Sequence, residues 1–384
     1  GSIIASSANA INFAQGTSAT IFKNQGTIIG GSNAYSIQVG VNNQGGATIE
    51  TFDNQGIIGN GNSNYGIVIW GKSNNKSSIT NFSNSGTIHS KNKEAIYFGN
   101  TDIQTFSNSG TIKSNSGYGV NVASGSTIEN FNNSGLIEGG DNHGTVYMQY
   151  GTIKTFTNSG TIRNFGNKEP SEHFSISSGM TSYYGTIGTF TNSGLISGIT
   201  GLKLSASTIN NFTNTGTIES TSGNEFAAGI SISTISGDAS IIENLTNSGT
   251  IKSNSNGIIA EAGNYINTLI NKGTIEAKLN GISFYDYGDS GGSGNIIKLG
   301  KIILEEGSSI KAGNNGINID HGTSKAIEAD GIEVKKGVVV EGGNSGIYIG
   351  GGKEINAQIK IEGSVTGGTA GIVNEGVIGG NTSS

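Results

Sequence analysis

The chain has 384 residues, of which 65 are glycine, one is proline and none is cysteine, and its net charge is −6. The absence of cysteine excludes disulfides, thiolate metal sites and a cysteine nucleophile. An acidic chain with only 12% charged residues disfavours nucleic acid and anionic membrane surfaces as partners. No apolar run approaches the ~20 residues of a membrane helix, so we expect no membrane insertion by this fragment.

Gly1 and Ser2 are typical of the scar left by tag cleavage. We therefore expect the natural N-terminus and any signal peptide to be missing. The structural part of the chain then begins at residue 3.

The pattern F-x-N-x-G-x-I recurs from Phe22 onwards and determines the predicted fold. Its asparagine and glycine columns include Asn84, Asn108, Asn133, Asn158, Asn192, Asn214, Gly86, Gly110, Gly135, Gly160, Gly194 and Gly216. Two leucine versions follow, beginning at Leu245 and Leu269, and successive glycines are 22 to 34 residues apart. Self-similarity at this period is typical of a solenoid, in which stacked units share one continuous core.

Each unit contains three short strands with alternating apolar and polar residues. The first has the pattern I-x-x-F, as in Ile153–Phe156; the second has G-x-I, as in Gly160–Ile162; the third has a small residue followed by alternating apolar positions, as in Gly66–Ile69. Three strands per turn predict an all-β fold, a parallel β-helix of triangular section. About 13 coils would form a rod of roughly 60–65 Å.

The N-x-G turn carries two more specific predictions. We expect its glycine to have a positive φ, which glycine adopts at little cost. The asparagine column is expected either to stack as an inward amide ladder or to hold a left-handed corner, and the sequence leaves both readings open.

Charges after the second-strand isoleucine support the stacking register. Lys113, Glu138 and Arg163 occupy this position in successive units, and Glu219, Lys252 and Glu276 occupy it further on. Opposite charges alternate, as expected of cross-strand neighbours. Glu129 and Lys154 repeat the arrangement on the first strand.

The repeat is regular over residues 3–300 and is interrupted by a predicted insertion at about residues 164–185, which includes Lys168, Pro170 and His173. Residues 301–384 contain drifted versions of the coil without phenylalanine or the asparagine column. We expect the same solenoid to continue there with a different core.

Columns of N-x-G-x-I between short Ile/Phe strands resemble the passenger domains of bacterial autotransporters (type V secretion). F-x-N-S-G-T-I is similar to the repeats of vacuolating-cytotoxin-like autotransporters and related surface adhesins, over about residues 20–280 and more weakly over 300–380. The resemblance implies a right-handed parallel β-helix that is exported through the outer membrane of a Gram-negative bacterium and displayed on the cell surface. It also implies a C-terminal outer-membrane β-barrel on the native chain. Because no amphipathic membrane strands precede Ser384, we expect this chain to be a passenger fragment.

The sequence disfavours two enzyme hypotheses. Gly288–Gly292 reads G-D-S-G-G, the nucleophile motif of chymotrypsin-like proteases, but none of the four histidines lies in a recognisable triad context. A carbohydrate-active β-helix enzyme would need two carboxylates at a defined separation. The aspartates considered for that role are scattered over different units: Asp286, Asp289, Asp320 and Asp330. We expect neither catalysis nor a cofactor nor a metal site.

Alternation along the third strand predicts a stripe of outward-pointing side chains, mostly aromatic. The candidate binding face comprises Val68, Trp70, Tyr97, Tyr118, Tyr147, Tyr150, Tyr285 and Tyr287. Exposed tryptophan and tyrosine are enriched at contact surfaces.

The favoured hypothesis is therefore a non-enzymatic surface adhesin that binds a protein or glycan of a host cell or bacterial surface through many shallow contacts. An oligomerising or pore-forming toxin segment is the alternative. Self-association is compatible with both hypotheses.

Overall fold

The computed structural model describes residues 1–140, 144–167, 177–261, 263–285, 297–320, 327–350, 354–355 and 358–378. Every regular element in these ranges is a β-strand. The chain divides into two compact units, the first within residues 1–198 and the second mainly residues 199–384, with Thr191–Ser193 assigned to the second. Across the described ranges, no helix has the length and apolar character required to cross a membrane.

The first unit contains three parallel sheets. Within each sheet, a strand pairs with the strands three positions before and after it in chain order. Sheet 1 contains the I-x-x-F strands β3 (Ser18–Asn24), β6 (Thr48–Asn54), β9 (Ser77–Asn84), β12 (Thr101–Asn108), β15 (Thr127–Asn133), β18 (Thr152–Asn158) and β21 (Thr186–Asn192). Sheet 2 contains the G-x-I strands β1 (Ser2–Ile4), β4 (Thr27–Ile29), β7 (Ile57–Ile58), β10 (Thr87–Ser90), β13 (Thr111–Ser114), β16 (Leu136–Gly139), β19 (Thr161–Asn164) and β22 (Leu195–Gly198). Sheet 3 contains β2 (Ile11–Phe13), β5 (Tyr35–Val39), β8 (Tyr65–Trp70), β11 (Ile96–Gly99), β14 (Val120–Val122), β17 (Val146–Gln149) and β20 (Ser178–Tyr183).

The second unit has the same three kinds of sheet. Its sheet 1 contains β24 (Thr208–Asn214), β27 (Ile241–Asn247), β30 (Tyr265–Asn271), β33 (Ile297–Leu304), β36 (Ile327–Val334), β39 (Glu354–Ile355), β40 (Ile359–Ile361) and β43 (Val377–Ile378). Its sheet 2 contains β25 (Thr217–Ser220), β28 (Thr250–Ser253), β31 (Thr274–Ala277), β34 (Ser309–Ala312), β37 (Val339–Gly342) and β41 (Ser364–Gly367). Its sheet 3 contains β23 (Thr200–Ser205), β26 (Ala228–Ser233), β29 (Asn256–Glu261), β32 (Ile282–Tyr285), β35 (Asn315–Ile319), β38 (Ser345–Ile349) and β42 (Ala370–Asn374).

The predicted fold class is confirmed: the chain is a right-handed parallel β-helix with three short strands per coil. Equivalent positions of successive coils lie opposite each other, as with Phe106 and Phe131. The phenylalanine column forms the core of the first unit, where ring centroids of successive coils are 4.6 to 5.1 Å apart from Phe22 to Phe190. Such rings combine a large buried apolar area with stacking between coils.

The asparagine side chains form an inward hydrogen-bonded ladder and also stabilise the N-x-G turn. In the first unit Nδ2 of each asparagine donates to Oδ1 of the next, at 2.6 to 2.8 Å, from Asn24 to Asn158. In the second unit the same bonds of 2.8 Å link Asn192 to Asn271. Each of these side chains is buried, and Asn24 Oδ1 also accepts a hydrogen bond from Gly26 N. Of the two readings left open by the sequence, the structure therefore contains the ladder, and the same amides brace the turn.

The expectation of positive φ at the turn glycine is wrong. None of Gly86, Gly110, Gly135, Gly160, Gly194 and Gly216 is among the described residues with positive φ. Glycine is required there for a different reason, because a β-carbon on Gly135 would lie 2.2 Å from the carbonyl oxygen of Gly110 in the preceding coil. The close approach of the coils, not the backbone conformation, excludes a side chain.

The charge prediction is confirmed in register and in contact. Lys113 pairs with Glu138, and Glu138 with Arg163, along sheet 2. Lys113 Nζ lies 3.3 Å from Glu138 Oε2, and Arg163 Nε donates to Glu138 Oε1 at 2.6 Å. On sheet 1, Lys154 Nζ lies 2.8 Å from Glu129 Oε1. In the second unit Glu219, Lys252 and Glu276 likewise follow one another in register.

In the drifted coils of the second unit, apolar residues replace the amide ladder. Leu304 lies opposite Asn271, and Val334 and Ile361 continue the column. The strands that contain them remain in sheet 1.

The predicted insertion at residues 164–185 was too long at its C-terminal end. Ser178–Tyr183 is β20, a regular strand of sheet 3. Residues 168–176, with Lys168, Pro170 and His173, lie outside the described residues.

Candidate binding site

The outer face of sheet 3 in the first unit presents one column of side chains away from the core. Ile67 and Ile69 point inward and are buried, so the residue between them points outward. Register then places Val68, Tyr97, Asn121 and Tyr147 in a single outward column.

Aromatic rings pair along and beside this column. Trp70 and Tyr97 have ring centroids 4.4 Å apart, and the rings of Tyr118 and Tyr147 are parallel at 4.7 Å. Tyr35 and Tyr65 form an edge-on pair at 5.0 Å. We call Tyr65, Trp70, Tyr97, Tyr118 and Tyr147 the aromatic face.

Exposure corrects the predicted set of site residues at two positions. Val68 is 0% exposed and Tyr147 is 8% exposed. Val68 lies between Gln38 and Tyr97 on the same face, and Tyr118 stacks on Tyr147, so neighbouring side chains cover both. Val68 therefore packs beneath the exposed side chains of this surface and cannot contact a partner.

The remaining predicted residues differ in position. Trp70, Tyr97 and Tyr118 are partly exposed, and Tyr150 is 51% exposed at the corner that follows β17. Tyr285 ends β32 in the second unit, and its side chain, like the whole of Tyr287, lies outside the described residues.

Glu94 is a component of the site that sequence reasoning missed. Asn121 Nδ2 donates to Glu94 Oε1 at 3.1 Å. Backbone hydrogen bonds from Gly66 N to Glu94 O and from Ala95 N to Tyr118 O continue the register, so Glu94 lies between Tyr65 and Tyr118, immediately beside the aromatic face. The sequence signal was available, since Glu94 takes the place of a tyrosine in the column formed by Tyr35, Tyr65 and Tyr118.

Burial and Glu94 together raise the pKa of two tyrosines. Burial first, and then the negative charge of Glu94, raise the pKa of Tyr65 to about 12. The same two causes raise the pKa of Tyr97 to about 12. Both hydroxyls are protonated at neutral pH, as an ordinary tyrosine hydroxyl is, and can act as hydrogen-bond donors to a ligand.

The outer face of sheet 3 in the second unit differs in chemistry. Lys203, opposite Ser231, is only 6% exposed. Burial lowers the pKa of its ammonium group to about 8, and the charge of Glu261 acts in the opposite direction. Its outward column continues from Lys203 through Ser231 and Ile259 to Ser283.

The residues considered for catalysis do not form a site in the described ranges. His89 Nε2 lies 2.8 Å from Asn115 Oδ1, and His143, His173 and His321 lie outside these ranges, as do Asp286 and the G-D-S-G-G segment Gly288–Gly292. Asp320 follows β35 in sheet 3, whereas Asp330 lies in β36 of sheet 1. Nowhere in the described part of the chain do three or more metal-ligating side chains come together.

No protein-family model, no curated protein and no solved structure matches this chain. The chemistry of the site must therefore be inferred from its own residues. Paired aromatic rings, protonated hydroxyls and one half-buried carboxylate can bind a ligand by stacking and hydrogen bonding.

Proposed function

We propose that this chain is a non-enzymatic adhesin, part of the passenger domain of an autotransporter displayed on the surface of a Gram-negative bacterium. The single observation that carries the proposal is the aromatic face, where two close ring pairs lie beside the Glu94–Asn121 hydrogen bond on one outward sheet surface.

The composition of this surface supports a binding role. Partly exposed tryptophan and tyrosine provide large contact areas at a small cost in conformational entropy. Residues of four successive coils contribute to it, so a partner on a cell surface would meet several shallow contacts at once, and multivalent display would raise its avidity. A host-cell or bacterial-surface protein or glycan is the proposed partner.

The chain type supports the proposed location. The F-x-N-x-G-x-I coils that resemble autotransporter passengers include the coils that present the aromatic face. The native chain would be attached to a C-terminal outer-membrane β-barrel.

One experiment separates the adhesin from the toxin hypothesis. Beads coated with the purified chain are tested for retention on epithelial cells and on bacterial cells, and the same protein is tested for dye leakage from liposomes. We expect saturable retention on at least one cell type and no leakage above a bovine serum albumin control. Leakage without retention would favour the pore-forming alternative and contradict the proposal.

A further inference from the structure

A second aromatic platform lies at the corner of the coil, next to the aromatic face. The rings of Tyr150 and Tyr184 are nearly parallel, with centroids 4.9 Å apart and an interplanar angle of 7°. Tyr183 packs edge-on against Tyr150 at 5.9 Å and against Tyr184 at 4.9 Å. The backbone also connects the two coils, since Tyr150 N donates to Tyr183 O at 3.0 Å.

Both stacked tyrosines hold a strained backbone conformation. The φ of Tyr150 is +57° and that of Tyr184 is +51°. In the same first unit, Gly40 occupies the corresponding corner region with a φ of +71° and Asn100 with +49°. Left-handed φ is unfavourable for a bulky L-residue, and such strain is concentrated at functional sites. Glycine or asparagine would satisfy the corner, so the fold alone does not require tyrosine there.

Polar residues join this platform to Trp70 along the edge of sheet 3. Trp70 ends β8, Asn100 follows β11, Ser124 follows β14 and Tyr150 follows β17. Gly99 pairs with Trp70 and Gln149 with Tyr183, so Asn100 and Tyr150 lie one position beyond the Trp70 column, and Asn100 N donates to Ser124 O at 3.1 Å. We call Trp70, Asn100, Ser124, Tyr150 and Tyr184 the rim. At about 4.8 Å per coil, Trp70 and Tyr150 are about 14 Å apart along it.

The charge of the rim restricts the class of ligand. None of its residues is charged, and the exposed Gln149 beside Tyr150 is also neutral. Two nearby lysines are neutralised by ion pairs. Lys76 Nζ lies 2.8 Å from Asp102 Oδ1, and Lys154 pairs with Glu129. Lys72, two residues after Trp70, is an exposed charge at the end of the rim.

We propose that the rim binds an unbranched, uncharged oligosaccharide, with one hexopyranose on Trp70 and another on the Tyr150–Tyr184 pair. A pyranose ring presents C–H groups on its face and hydroxyls on its edge, so its face stacks on an aromatic ring while its hydroxyls meet Asn100, Ser124 and Gln149. Two platforms separated by several sugar lengths select a chain over a monosaccharide. This inference rests on the proposed function and specifies its ligand.

The single tryptophan of the chain makes Trp70 fluorescence a reporter of this site. The intact chain is titrated with maltohexaose, cellohexaose and chitohexaose, with their disaccharides, and with a heparin-derived hexasaccharide. We expect at least one neutral hexasaccharide to change the emission saturably and to bind about tenfold more tightly than its disaccharide, because it reaches both platforms. No saturable change with any neutral hexasaccharide, or preferred binding of the sulfated one that is lost in Lys72→Ala, would overturn the proposal.

Tyr150→Gly separates binding from folding. The substitution removes one ring of the distal platform and relieves the left-handed strain, so we expect hexasaccharide affinity to fall about fivefold to tenfold while disaccharide affinity and the urea midpoint are not lowered. Ser236→Gly is the matched control, since Ser236 has a φ of +52° but lies in the second unit, and it should leave both affinities unchanged. Unaltered hexasaccharide affinity in Tyr150→Gly would contradict the two-platform geometry.

The two proposals fail in different ways. If beads adhere to cells through Trp70 and Tyr97 but no neutral oligosaccharide binds, the adhesin function stands and the oligosaccharide ligand is wrong. If an oligosaccharide titrates Trp70 but the beads are not retained, the site is correct and adhesion is not its function.

Discussion

At Gly160, a β-carbon would lie 2.1 Å from the carbonyl oxygen of Gly135 in the preceding coil. The same contact recurs at the turn glycines of other coils, including Gly86 at 2.0 Å and Gly249 at 2.1 Å. The sequence revealed that glycine is required at this position. The expected cause, a positive φ, was wrong, because a recurring spacing within one unit does not show how closely the next coil approaches.

Gly160→Ala tests this steric cause. Both groups in the contact belong to the backbone, so neither can rotate away, and we expect local separation of two coils or a loss of stability on the order of 3 kcal/mol. Gly223→Ala is the matched control, because its β-carbon would meet no atom closer than 3.8 Å. Urea unfolding followed by far-UV circular dichroism measures both, and equal midpoints would contradict the steric explanation.

Lys203 gives stability a distinct dependence on pH. Its pKa falls from the ordinary value of 10.5 to about 8 on folding, so the unfolded chain binds more protons between these values and stability should rise as pH increases from 8 to 10.5. At 1.36 kcal/mol per pKa unit, the rise is about 3 kcal/mol. Below pH 8 both states are protonated and the contribution is constant.

Lys203→Met should abolish this rise. Unfolding free energies of the wild type and the variant, measured by urea denaturation at pH 7.5, 9 and 10.5, are compared as a difference at each pH, which cancels contributions from tyrosines. A constant difference across the three values would show that Lys203 titrates normally.

At the scale of one strand, Asn133 is a member of the amide ladder at the end of β15. Asn108 Nδ2 donates to its Oδ1 at 2.8 Å, and its own Nδ2 donates to Asn158 Oδ1 at 2.7 Å. Its Nδ2 also approaches Gly135 O at 3.2 Å. One side chain therefore satisfies partners in three successive coils.

Asn133→Ala should leave buried polar groups on both neighbouring asparagines without this partner. We expect a loss of about 2–4 kcal/mol, since each unsatisfied buried group costs about 1–3 kcal/mol. Asn132→Ala, one residue earlier on the same strand but partly exposed, should change stability by about 0.5 kcal/mol or less. The urea midpoints of both variants measure these losses of stability. Similar losses for the two variants would show that the ladder adds nothing beyond ordinary packing.

Strand type and register were predictable at this scale because the pattern is strictly periodic. The two-residue alternation assigned inward and outward faces, and repeated Asn, Phe and charged residues aligned successive coils. The end of the insertion was not predictable, because β20 (Ser178–Tyr183) reads S-G-M-T-S-Y and has a single large apolar residue on its inner face. A strand of small residues lacks the hydrophobic alternation on which its recognition depends.

At the scale of the molecule, each unit is a stack of similar coils, and only the outer surface distinguishes one region from another. The fold class followed from the repeat. The exposure of individual side chains on that surface did not follow from the repeat, as Val68 and Tyr147 illustrate. Exposure depends on which neighbouring coils contribute large side chains. The repeat aligns Glu94 with Tyr65 and Tyr118, but its hydrogen bond with Asn121 of the next coil is visible only in the structure.

The aromatic face is the feature on which the functional account depends, and loss of its rings tests it most directly. Retention on cells is compared for beads coated with the wild type, with Trp70→Ala/Tyr97→Ala, and with Tyr265→Ala/Tyr348→Ala, which removes two tyrosines of the second unit, all with matched circular dichroism. The account predicts that the first double variant loses most of its retention while the second keeps it. Equal retention by the wild type and Trp70→Ala/Tyr97→Ala would contradict the account.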